Sequence, residues 1–290
     1  MHDSPARIEP MTIEIVSPFE QSPDSEKGTR CVLIDPVADA QLSRWIYELA
    51  PQGAPQWMPL FTGTEYASLT DISPALVLSG ERGDWAGYAS ALLEQSHAGC
   101  VLYLEDRSQW TDAVKHCQSL LTIRTKEKSA QLMRFFEPRW LEPLIASLTP
   151  DELQAFLGPF SGLAWRNELG WRYQSRLQPW DGVVHKPGWL HIGSARQQAM
   201  RQKRLEVIAT ELAKDYSAVL KMPAPQHFVY DQLCLAQTAG VEQKAHFERW
   251  IRLALHSQDR PWPTAEAKQV LARDDLVVAG KLDALERLYG

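Results

Sequence analysis

Three groups of residues in this chain carry side chains that could do chemistry. The first is acidic. Asp35 follows the apolar run at residues 31–34, and Glu105 and Asp106 follow the apolar run at 100–104. Active sites of α/β sheets lie beyond the carboxyl ends of strands, where such carboxylates could serve as general acid and base. The second group sets His97 beside Cys100 and His116 beside Cys117, types that ligate metals or form an activated nucleophile. The third is basic: Arg196, Arg201, Lys203 and Arg204 follow Trp180 and Trp189, a combination that could bind single-stranded nucleic acid by charge and stacking.

Each group also has a plainer explanation in the elements around it. Asp35 precedes Pro36, so it reads as the N-cap of a helix with proline at its first position. Glu105 and Asp106 form a polar strand exit before Ser108, which reads as the next cap. Neither His–Cys pair has further ligands at metal-site spacing. Glu206, Glu211 and Asp215 interrupt the basic stretch, and the sequence pI is about 5.8, which argues against nucleic acid as a partner. The G-x-S-x-G, P-loop, G-x-G-x-x-G, H-E-x-x-H and EF-hand patterns do not occur. The expectation is therefore no catalytic residue, no metal and no cofactor: a protein that is not an enzyme.

With 290 residues, 44% of them hydrophobic and 23% charged, the chain has the composition of an ordinary globular protein. It contains no run of about 18 apolar residues, and its first residues lack a basic stretch followed by an apolar segment, so no membrane association and a cytoplasmic location are expected. Cys31, Cys100, Cys117 and Cys234 form no C-x-x-C pair and imply neither disulfides nor zinc.

The elements that would position these groups follow from periodicity. Residues 1–29, rich in Pro, Ser, Asp and Glu, read as a flexible leader. Residues 30–160 alternate apolar strand runs at 31–34, 75–78 and 100–104 with helical stripes. One stripe holds Leu42, Trp45, Ile46 and Leu49; one opens at Asp84 with Trp85, Tyr88, Ala89 and Leu92; one holds Trp110, Val114, Cys117 and Leu121. Residues 121–125 and 132–136 read as a hairpin around Lys126 to Ser129, and a short helix follows Glu137-Pro138. Thr149-Pro150-Asp151-Glu152 is a capping box with proline at the first helical position, and Gly158-Pro159 ends that helix. The predicted fold class is α/β: an N-terminal lobe with a mixed sheet, parallel where helices cross over, flanked by helices and followed by a mainly helical lobe.

Residues 161–290 begin with a Trp-rich segment read as hairpin or long loops and continue as helices. One stripe runs through Leu205, Ile208, Leu212, Tyr216 and Val219, another through Phe247, Trp250, Ile251, Ala254 and Leu255, and a last helical stretch at 264–288 is interrupted near Gly280. Residues 1–160 carry 12 Lys and Arg against 22 Asp and Glu, while residues 161–290 carry 18 against 14. Because Trp, Tyr and Arg dominate binding hot spots, Trp171, Tyr173, Trp180 and Trp189 are the candidate protein-docking anchors, with Arg196, Arg201 and Arg204 as rim charges.

The landmarks Val32-Leu33-Ile34-Asp35, Pro59 to Thr64, Ser73 to Val77, Arg134 to Leu141 and Phe156 to Pro159, in that order, resemble the domain of type VI secretion effector adaptors, also called effector chaperones. The resemblance covers roughly residues 30–160. It departs from the family pattern at Pro36, Ala75 and Glu137, and Ser96 to Gly99 stands where a Trp-x-x-x-Trp-Gly stretch is common. It implies a cytoplasmic adaptor that recognises one cognate toxic effector and helps load it onto the VgrG spike. Residues 30–160 would then be the common scaffold meeting the spike, and residues 161–290 would select the effector. Two other readings stay open: an α/β enzyme of unrecognised type with a polar pocket around Asp35 and Glu105, and a nucleic-acid-binding module using the basic cluster.

Overall fold

The consecutive apolar residues of 31–34 and 100–104 lie side by side at the centre of a sheet that is covered on both faces. A computed structural model describes residues 12–20, 24–25, 28–49, 56–79, 85–96, 98–125, 130–256 and 262–289. The chain divides into two compact units, Met1–Met200 and Arg201–Gly290.

In chain order the first unit contains β1 (Ile13–Ile15), β2 (Asp24–Ser25), β3 (Gly28–Ile34), α1 (Leu42–Leu49), β4 (Trp57–Pro59), β5 (Ala75–Leu78), α2 (Trp85–Ser96) and β6 (Gly99–Leu104). It continues with α3 (Trp110–Leu120), β7 (Thr122–Arg124), β8 (Ala130–Leu132), α4 (Pro138–Ser147), α5 (Pro150–Leu157), β9 (Phe160–Asn167) and β10 (Gly170–Ser175). The main sheet runs β1-β10-β9-β6-β3-β5-β4, with β2 paired to β3, and β7 and β8 form a second, small sheet.

The fold class is α/β as expected, but the parallel pairs predicted at the crossovers are not there: the ladders of the main sheet are antiparallel. The reason is topological. β5 and β6 run in the same direction and α2 connects them, as a crossover should, yet β3 lies between them and is antiparallel to both. Gly99 allows this close pairing, because a Cβ there would meet the Leu33 carbonyl oxygen at 1.9 Å.

Alternation along each strand sorts side chains to two faces. Val32, Ile34, Val77, Val101, Tyr103 and Ala164 pack with Leu42 and Ile46 of α1 and Trp85, Ala89 and Leu93 of α2. Cys31, Leu33, Leu76, Cys100, Leu102, Leu163 and Trp165 pack with α3, α4 and α5 on the other face. Helices on both faces, rather than parallel strand direction, explain the unbroken apolar runs.

Other expectations shift in detail. Residues 13–15, assigned to a flexible leader, form an edge strand on β10. The second hairpin arm is 130–132 rather than 132–136, since Phe135 and Phe136 leave the ladder and insert into the core beside Phe156; its turn, Lys126 to Ser129, lies outside the described residues, as does Asp84. The boundary expected at 160/161 would cut β9. Thr149 caps α5 as read: its hydroxyl accepts from Glu152 N at 3.3 Å, and Glu152 Oε2 accepts from Thr149 N at 2.9 Å.

In the second unit, α6 (Ser194–Asp215), which the unit division crosses, is followed by α7 (Pro225–Thr238), α8 (Lys244–His256), α9 (Ala265–Leu271) and α10 (Val278–Tyr289). Their apolar stripes meet in one core through Leu205, Ile208, Leu212, Val229, Leu233, Phe247, Trp250, Ile251, Leu282 and Leu285. Gly280 sits inside α10; the interruption falls between α9 and α10 instead. With the division at 200/201 the charge contrast shrinks: residues 201–290 carry 13 Lys and Arg against 12 Asp and Glu.

Candidate functional site

The acidic candidates do not share a site. Asp35 leaves the end of β3 and Glu105 the end of β6, and these strands are antiparallel, with Thr29 opposite Leu104 and Ile34 opposite Gly99. The carboxylates therefore emerge at opposite ends of the ladder, roughly 24 Å apart at about 3.4 Å per residue. Asp35 is buried. Its Oδ1 accepts from Val37 N at 3.0 Å, so it does cap the turn after β3, and its Oδ2 pairs with the Arg134 guanidinium, which lies 5.7 Å over the Phe136 ring. Glu105 pairs with Arg176, which also donates to the Gly158 carbonyl at 2.5 Å. Asp106 accepts from Ser108 N at 2.8 Å, and that bonding holds its carboxyl below the usual range. Each carboxylate is committed to a cap or an ion pair.

Of the His and Cys candidates, His116, Cys100 and Cys117 are buried. His116 donates through Nε2 to the Phe156 carbonyl at 2.8 Å, and complete burial pushes its ring down to about 4, so it is neutral. Gly158 lies against that ring at φ +54°, where a Cβ would come within 2.5 Å of it. Burial pushes the thiols of Cys31, Cys100 and Cys117 well up, away from the thiolate that nucleophiles and metal ligands require. His97 lies outside the described residues. Among the described residues no group of three or more His, Cys, Asp or Glu could hold a metal ion, and no helix is long and apolar enough to cross a membrane.

The ordered landmarks turn out to stitch the first unit together. Asp35 reaches Arg134. Leu60 N donates to the Pro74 carbonyl at 2.9 Å, and Phe61 N to Ser73 Oγ at 2.9 Å. Gln118 of α3 donates to the carbonyls of Leu60 and Thr62 at 3.3 and 2.8 Å, and Thr122 Oγ1 donates to Glu65 at 2.8 Å. Arg134 is the partner that sequence reasoning missed, because it stands far from Asp35 along the chain.

The docking candidates separate into three kinds. Trp171 and Tyr173 are only 6% and 7% exposed and face the helices α1 and α2, edge-on to Phe19 at 6.1 Å and to Tyr103 at 5.7 Å respectively. As the protein stands they are core residues rather than surface anchors, because β10 is a true strand whose alternate side chains point inward. Trp180 and Trp189 are half-buried on the irregular segment after β10. Trp180 donates to the Val183 carbonyl at 3.2 Å, and Trp189 stacks on His185 at 4.6 Å while packing against the core. That segment also borders β7, with Arg124 N donating to the Leu190 carbonyl and Ile192 N to the Arg124 carbonyl at 3.1 and 2.9 Å.

Arg196 is a clamp rather than a rim charge. It donates to both carboxylate oxygens of Glu152 at 2.8 and 2.6 Å and to the His191 carbonyl at 2.8 Å, tying the start of α6 to the cap of α5. Burial acts to raise the Glu152 carboxyl, yet the bonds from Arg196 and Thr149 hold it below the usual range. Arg201 is exposed and Arg204 half-buried, and both belong to the second unit.

A further feature emerges at the far edge of the sheet. Tyr47 of α1 is 64% exposed and stands edge-on to Trp57 of the edge strand β4 at 5.6 Å. Its position one residue past the buried Ile46 puts it off the apolar stripe, a signal that was present in the sequence.

No curated protein and no solved structure matches the chain. The span from Val32 in β3 to Ala155 in α5, which contains most of the landmark contacts described above, matches the family model described as "Domain of unknown function (DUF4123)", residues 32–155.

Proposed function

We propose that the chain is a cytoplasmic, non-enzymatic adaptor that binds a cognate toxic effector of a type VI secretion system and brings it to the VgrG spike. The observation that carries this reading is the family match over residues 32–155, which spans four of the five landmark segments in full and ends at the residue before the fifth. The geometry is consistent with binding rather than catalysis: the landmark residues are consumed in caps, ion pairs and strand contacts, and the carboxylates that could have formed an acid–base pair sit at opposite ends of a ladder. What such a chain offers a partner is surface, including exposed aromatic and apolar residues at both edges of the sheet.

The test is reconstitution with purified full-length chain, the VgrG protein and the toxin encoded beside it. The reading expects a stoichiometric complex of chain and toxin, and a larger one when VgrG is added. If the chain elutes alone from both proteins at micromolar concentration, the reading is wrong.

A further inference from the structure

The two buried docking candidates are covered by a short strand. β1 pairs with only the middle of β10, placing Ile13 opposite Tyr173, Glu14 opposite Arg172 and Ile15 opposite Trp171. β1 has three residues and β10 six. Ile13 is 42% exposed and Val16, just beyond, 60% exposed, although both are apolar. Side-chain ties along this edge are weak ones: Thr12 Oγ1 to Gln174 Oε1 at 3.1 Å, and a Glu14–Arg172 pair at 3.6 Å with Glu14 largely in solvent. An ion pair with one partner so exposed contributes little to holding the strands together. After β1 the chain lays Phe19 edge-on against Trp171, under the Arg30 guanidinium 5.2 Å away, while Arg30 also donates to the Pro18 carbonyl at 3.0 Å.

Residues 12–20 thus form a strap along the outermost edge of the sheet. Beneath it β10 carries Trp171, Arg172 and Tyr173 in succession, the three residue types most enriched in binding hot spots. The edge is also chemically selective, since its two aromatic positions face apolar residues and the arginine between them faces a carboxylate.

We propose that β1 is an exchangeable edge strand, holding the place of an extended apolar–acidic–apolar strand of a partner protein that is read by Tyr173, Arg172 and Trp171. This rests on the protein-binding reading above. Displacement exchanges one antiparallel ladder for another, so the backbone groups of β10 are satisfied in both states and only the thin side-chain ties differ.

The experiment uses full-length protein and a fluorescent peptide with the sequence of residues 12–20, TIEIVSPFE, beside a charge-reversed peptide, TIKIVSPFE. A released variant carries Ile15→Ser and Phe19→Ser; a locked variant carries Glu14→Cys and Arg172→Cys, oxidised to a cross-strand disulfide. Fluorescence anisotropy should show the acidic peptide binding the released variant at least about tenfold more tightly than wild type, because the competent state is no longer a minor fraction. The lysine peptide should bind more weakly, and the oxidised lock should bind neither. A folded released variant that ignores the acidic peptide or binds both peptides equally would overturn the proposal, as would a lock that binds like wild type.

Should the released variant lose its fold, hydrogen exchange on wild type decides: residues 13–15 must open in a faster step than β9 and β6, and a common step would overturn the idea. Reconstitution with toxin and VgrG reports separately on the adaptor reading, so either can fail alone.

Discussion

Removing the buried imidazole of His116 gives the sharpest stability test of the first unit. His116 sits wholly inside the core, its Nε2 proton given to the Phe156 carbonyl, and burial lowers its folded pKa from 6.5 to about 4. A lowered folded pKa means that the contribution is present above pH 6.5 and is lost as pH falls toward 4, because the unfolded chain takes up the proton first. At 1.36 kcal/mol per pH unit, the loss between pH 7.5 and 4.5 is roughly 2 to 3 kcal/mol. Other groups titrate in this range too, so the useful quantity is a difference. Urea unfolding of wild type and of His116→Gln, followed by circular dichroism at both pH values, should show the stability advantage of wild type shrinking by roughly 2 to 3 kcal/mol on acidification. In parallel, the His116 ring-proton NMR shift should stay that of a neutral imidazole until about pH 4. An advantage that does not change with pH, or a ring that titrates near 6.5, would refute the packing described between α3, Phe156 and Gly158.

Other substitutions probe the remaining joints. Thr149→Ala should lower stability by about 1 kcal/mol through loss of the α5 cap, measurable by denaturant titration, without altering partner capture. Ala224→Gly should raise stability by about 1 kcal/mol, since Ala224 holds φ 53° and ψ 59° at the start of α7, a left-handed conformation that costs little only for glycine; a thermal melt would show it. Changing Asp35, Glu105 and Asp106 together to their amides should leave toxin and spike binding intact in the folded protein; effector delivery lost while binding persists would point to catalysis.

Local signals in the sequence were legible. The capping box at Thr149, the cap at Asp35 and the apolar stripes of α1, α3 and α8 are set by neighbours within a turn or two, whereas the exact starts shift: Asp106 rather than Ser108 caps the turn before α3, and the turn opened by Asp35 ends before α1 begins at Leu42. Strand direction was not legible, because an apolar run such as 31–34 reports that both faces are covered and says nothing about which way its neighbours point. The run Trp171-Arg172-Tyr173 was legible as hairpin or loop, and β9 and β10 do form a hairpin, but its aromatics read as surface anchors because their burial depends on residues 13–19, more than 150 positions away, and on helices α1 and α2. Phe135 and Phe136 imitated a strand for a similar reason: a pair of adjacent aromatics suits a ladder and a core plug equally. The Asp35–Arg134 pair explains why the first and fourth landmarks both matter to the fold, yet no rule of spacing connects them.

The proposed role of the chain is to join a toxin to a VgrG spike. The most direct measurement is the amount of toxin that co-precipitates with VgrG from cells that contain or lack the chain, with toxin and VgrG levels held equal. The adaptor account predicts that toxin is recovered with VgrG only when the chain is present, and that re-expression restores it. Equal recovery without the chain would contradict the account.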